Sequence, residues 1–129
     1  MNLPRRLLTV LLLAPGIAAA QPARPRGPHG GPNGGQVVVA DGHPIELVIA
    51  GTELTLFLNG EDGRPSASAR ASGRVSVQAG GQTATVPLRP AEPNRLVGTL
   101  AAPLAGAARV VFTGVLGDGH RATARWALE

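Results

Sequence analysis

The sequence contains no cysteine, no lysine and no tyrosine. Without cysteine there is no disulfide, no lipoprotein anchor and no thiolate metal ligand, so the fold must hold on its apolar core alone. Without lysine, all 12 basic residues are arginine, and alongside abundant Ala, Gly and Pro this reads as the codon bias of a GC-rich genome. Long hydrophobic runs are also missing. The longest, Leu7 to Ala14, is too short to span a bilayer, which takes about 20 apolar residues. Nucleic acid is not an expected partner. Arg5 and Arg6 fall in an N-terminal leader, leaving ten arginines against eight acids, and those ten are scattered, with no stripe along one face.

What is present begins with that leader. Met1 to Ala20 has the order of a secretory signal: the positive pair Arg5-Arg6, the apolar run, a Pro15-Gly16 break, and the small residues Ala18-Ala19-Ala20. Cleavage is expected after Ala20 and export through the general secretory route, which places the mature protein in the periplasm or outside the cell, with no stable membrane anchor. Residues 21–35, QPARPRGPHGGPNGG, have no apolar side chain larger than Ala or Pro and read as a flexible arm.

From Gln36 to Glu129 short apolar alternations are separated by turn residues, the pattern of strands. Ile45, Leu47 and Ile49 share one face, as do Leu54, Leu56 and Leu58, with Gly51-Thr52 a two-residue hairpin loop between them. Val75 and Val77, then Ala84, Val86 and Leu88, flank a Gly80-Gly81 turn. Arg95 to Leu100 follows, and Arg109–Leu116 and Arg121–Leu128 close a hairpin around Gly117-Asp118-Gly119-His120. In the last strand Ala122, Ala124, Trp126 and Leu128 are the inward set. About seven strands at this spacing suggest an all-β domain, a small antiparallel β-sandwich of Ig-like kind.

Nothing in the sequence points to an enzyme. No Ser lies in a nucleophile elbow, and no Gly-rich stretch follows a strand and opens a helix. Three histidines remain. His29, in Pro28-His29-Gly30-Gly31, can offer Cu(II) its imidazole and two glycyl amides, a tetragonal nitrogen set that glycine allows the backbone to wrap; a stray His in a Pro/Gly-rich linker is the bland alternative. His43 precedes the strand Pro44-Ile45-Glu46-Leu47-Val48, 14 residues on, close enough for the arm to fold back and share a Cu(II) or Zn(II) ion. Capping a turn is its commoner fate. His120 reads as a polar turn residue, and whether Glu46 or His120 joins a site is left open by the spacing.

The segments Pro28-His29-Gly30-Gly31, His43-Pro44-Ile45-Glu46-Leu47-Val48 and Leu54-Thr55-Leu56-Phe57-Leu58 resemble a family of small exported bacterial β-domains. They are similar to segments of periplasmic adaptor subunits of heavy-metal efflux pumps. Gly42 stands where that family often has an aromatic residue. The resemblance implies a periplasmic accessory role near copper or another divalent metal, with an efflux component as partner. Two functions follow: an accessory protein that binds or delivers metal through His29 and His43, or a structural or protein-interaction module in which the histidines are incidental.

Overall fold

The computed structural model describes residues 30–129, so the leader, most of the arm and His29 lie outside the described residues. Eight strands make up the fold: β1 (Gln36–Ala40), β2 (His43–Ala50), β3 (Glu53–Leu58), β4 (Ser72–Ala79), β5 (Gln82–Ala91), β6 (Arg95–Thr99), β7 (Ala108–Val115) and β8 (Arg121–Leu128). There is no helix among the described residues. The all-β expectation holds, with one strand more than the spacing suggests.

All pairings are antiparallel, in the order β1-β2-β3-β6-β5-β4-β7-β8. β5 makes the sheet continuous. Its first part pairs with β4, from Gln82 to Leu88, and its last residues, Arg89 to Ala91, pair with β6. The sheet curls until its two end strands meet. There the Trp126 indole Nε1 of β8 donates to the Gln36 carbonyl of β1 at 3.0 Å, so the one Trp both fills the core and fastens the seam. Inward residues from both halves, among them Ile45, Leu56, Val75, Leu96, Val110, Phe112 and Trp126, form a single core.

Turn chemistry sets the register. Asp41-Gly42 has φ of 50° and 79°, the left-handed pair that a tight two-residue hairpin requires, and it places Ala40 opposite His43. The strands run alternately up and down. The β1–β2 turn, the loop after β3, the β5–β6 turn and the β7–β8 turn therefore gather at one rim, and the other connections gather at the opposite rim.

Two placements differ from what the linear sequence suggests. Gly30–Gly35, at the end of the Pro/Gly-rich arm, are bonded to the sheet. Gly30 bridges Gln36, and Gly31 and Gly34 close a turn over the outer face of β2. The arginines also converge. Arg74, Arg89, Arg109, Arg121 and Arg125 occupy outward positions of β4, β5, β7 and β8, and all five are exposed. The period of two and the pairing of strands distant in sequence collect on one face residues that look scattered along the chain.

Candidate metal centre

The two-residue periodicity of β2 assigns His43 to the same face as Ile45, Leu47 and Ile49, the inward face. It is the first residue of that stripe, at the rim, and only 1% exposed. A polar ring at this position must find partners. Its Nδ1 donates to the Asp41 carbonyl, 2.8 Å away, across the tight turn. Its Nε2 lies 2.7 Å from Oδ2 of Asp118, 75 residues further on in the β7–β8 turn.

That turn is shaped to present Asp118. Leu116 and His120 bond across it, and Gly119 returns its N–H to Leu116. Asp118 Oδ1 accepts the backbone N–H of His120 at 3.0 Å, an Asx-type turn that leaves Oδ2 pointing at the rim. Oδ2 also lies 2.9 Å from His120 Nδ1, so two imidazoles converge on one carboxylate oxygen. The His43 and His120 rings stand 5.3 Å apart, tilted by 48°. Gly117 seats the turn: a β-carbon there would collide with the Ala67 carbonyl oxygen, so only glycine allows this approach.

Both nitrogens of His43 face oxygens that only accept, a carbonyl and a carboxylate, which is the environment of an imidazolium. Burial opposes that charge. The hydrogen bonds to Asp118 and to the Asp41 carbonyl, with the charges of Asp118 and Glu61, outweigh it and hold the His43 pKa above the ordinary 6.5. Asp118 moves the opposite way. The His120 backbone N–H and the His43 side chain hold its carboxyl well below the usual carboxylate range, and the His120 ring adds to this.

The same geometry fits a metal ion. Ligand atoms of His43, Asp118 and His120 lie within 4.8 Å of one another. Tetrahedral bonds of about 2.0–2.1 Å separate ligand atoms by about 3.3 Å, so an ion replacing the shared protons asks the two nitrogen–oxygen separations to open by roughly half an ångström. Asp118 and His120, with side chains 40% and 53% exposed on a turn, have room to give it, whereas His43 is fixed. With Nε2 facing the ion, the Nδ1–H bond to the Asp41 carbonyl is the orientation a ligating imidazole ordinarily has from its backbone.

Of the two histidines singled out by the sequence, His43 lies in this cluster and His29 lies outside the described residues. Gly30, next to His29, bridges Gln36 at the start of β1, whereas His43 faces Ala40 at the end of β1. His120, read as a turn residue, belongs to the cluster, and Asp118 was not singled out at all. Glu46 is not part of it. Its side chain is on the outer face of β2, where it accepts from Asn33 N, Asn33 Nδ2 and Gly35 N. No protein-family model matches the chain, and no curated protein matches it either.

Proposed function

We propose that this protein is an exported accessory protein that binds one divalent metal ion, Cu(II) or Zn(II), through His43 Nε2, the Asp118 carboxylate and His120 Nδ1. The observation that carries the reading is the convergence of two imidazoles on one carboxylate at a rim, with the buried imidazole already oriented by a backbone carbonyl. Three protein ligands leave a fourth position toward solvent, which suits an ion that is taken up and handed on. With no cysteine, and no methionine besides Met1, the donor set is nitrogen and oxygen, the preference of Cu(II) and Zn(II) over Cu(I). The leader and the resemblance to heavy-metal efflux adaptors support a periplasmic or secreted setting, with an efflux component as the receiving partner.

Calorimetric titration of the protein with Zn(II) and with Cu(II) tests this. One ion per chain is expected at micromolar metal, and Asp118→Asn or His120→Ala should each weaken it by roughly tenfold or more. A wild type that takes up neither metal at micromolar concentration contradicts the reading.

A second reading has its own support. As an imidazolium, His43 satisfies both oxygens it faces, so the cluster is complete as a latch between the β1–β2 and β7–β8 turns. The protein is then a structural or protein-interaction module. A folded, metal-indifferent protein in the titration selects this reading.

A further inference from the structure

Charge is divided across this fold. All eight Asp and Glu of the chain fall in loops, at chain or strand ends, or on β2 and β3. The outer face of β5-β4-β7-β8 carries none of them and carries five exposed arginines: Arg89, Arg74, Arg109, Arg121 and Arg125. The ion pairs among the described residues are those of Asp118 with His43 and His120, so all five guanidinium groups are uncompensated. Codon bias explains why the basic residues are arginine. It does not explain why half of those beyond the leader share one face while every acid avoids it.

The register locates them. Arg74 lies in the row of Thr113 and Thr123, Arg121 pairs with Val115, Arg125 with Val111, and Arg109 with Gln78 and Ala127. Strand spacing of about 4.8 Å and a rise of about 3.4 Å per residue set neighbouring arginines roughly 8–14 Å apart, over a patch of roughly 15 by 20 Å. Thr85, Thr113 and Thr123 stand exposed between them and add hydroxyl donors. Guanidinium forks match phosphate oxygens in pairs.

We propose that this face docks on the phosphate headgroups of an anionic membrane surface. The patch is a sheet face with an open hollow at its Arg109 end, lined by Gln78, Thr83, Arg109 and Ala127. It presents no aromatic ring, since Phe112 and Trp126 point into the core and Phe57 lies on β3. Single-stranded nucleic acid is held in a channel with stacking rings, and duplex DNA by an element that enters a groove; this face offers neither. The face is convex, because the sheet curls, and the laterally mobile phosphates of a bilayer can gather beneath spaced guanidinium groups without a fixed register. The proposal does not depend on the metal reading.

Co-sedimentation of the full chain with vesicles of phosphatidylglycerol and phosphatidylcholine in equal amounts, against phosphatidylcholine alone, provides the test. Arg5, Arg6, Arg24 and Arg26 of the N-terminal segment also favour anionic vesicles, so the arginine substitutions within the β-domain assign the binding to this face. At low salt the anionic vesicles should bind more tightly, and the difference should collapse at high salt. Each arginine near an anionic surface is worth about fivefold in affinity, so Arg109→Gln with Arg125→Gln should weaken binding roughly 25-fold. The charge-matched pair Arg64→Gln with Arg70→Gln, on the loop outside the four strands that carry the face, should cost no more than about threefold. Circular dichroism of each variant confirms that the fold is intact. Equal weakening by the two pairs, no preference for anionic vesicles, or tighter binding of duplex DNA than of vesicles would overturn the proposal.

Discussion

β2 supports a polar centre on each of its faces, and the two are built to opposite ends. On the outer face Glu46 is 1% exposed, and its carboxylate accepts from Asn33 N, Asn33 Nδ2 and Gly35 N. Every donor belongs to the turn that it holds down. At the rim His43 is equally buried, but the carboxylate it meets is 40% exposed and is shared with a second, more exposed imidazole. Burial alone therefore does not separate a fastener from a candidate site. The rim centre differs in bringing together three side chains of the kinds that can ligate a metal, two of them exposed.

The largest expected effect falls on the outer centre. Glu46→Ala leaves the donors of Asn33 and Gly35 without an acceptor and should cost about 2–4 kcal/mol of unfolding free energy, measured by chemical denaturation, with metal affinity unchanged. Asp118→Asn should do the reverse, with a small change in stability and the roughly tenfold or greater loss of metal affinity given above. Equal stability losses in both variants would dissolve the distinction.

A paired substitution of glycines sharpens the contrast without touching a ligand. At Gly31 a β-carbon would collide with the Glu46 carboxylate, and at Gly117 with the Ala67 carbonyl. Gly31→Ala should lower stability by about 1–3 kcal/mol through overpacking and spare metal binding. Gly117→Ala should displace the turn carrying Asp118 and His120, weakening the metal by a few-fold while both ligands remain. Metal affinity unmoved in Gly117→Ala would mean that the turn does not position the site.

The smallest effect is a pH profile of the metal-free protein. His43 has a raised pKa when folded, so its contribution is fully present below pH 6.5 and is lost as pH rises through the folded value. Asp118 has a depressed one, so its contribution is present above pH 3.8 and is lost as pH falls through the acid range. Thermal melts should show the wild type's advantage over Asp118→Asn greatest between those limits, declining on either side. Glu46→Ala should keep that profile, because its substitution leaves the rim untouched.

The strands were legible because alternation is a local property. Ile45/Leu47/Ile49 and Ala122/Ala124/Trp126 name their inward faces directly, and Gly51-Thr52 and Gly80-Gly81 name their turns. The same rule extended by one step would have set His43 on the core face, and Asp118-Gly119-His120 shows two ligating side chains two apart in a hairpin turn. What no local rule supplies is their meeting. The β1–β2 and β7–β8 turns come together only because the sheet curls until β8 reaches β1, a consequence of twist and of the Trp126–Gln36 bond across 90 residues. Glu46 was ambiguous for the opposite reason, since its donors come from the Pro/Gly-rich turn at 31–35, whose backbone N–H groups leave no trace in composition. The arginine face was hidden by the same strand pairing that creates it.

Nuclear magnetic resonance of the imidazole nitrogens, during addition of Zn(II) up to one equivalent, separates a metal centre from a latch, because it reports each histidine separately. In a metal centre the His43 Nε2 and His120 Nδ1 signals shift together and saturate at one ion per chain, while His43 Nδ1 keeps its proton on the Asp41 carbonyl. If His29 responds first, or if His43 and His120 remain unmoved while zinc binds, the rim cluster is a latch and not a metal centre.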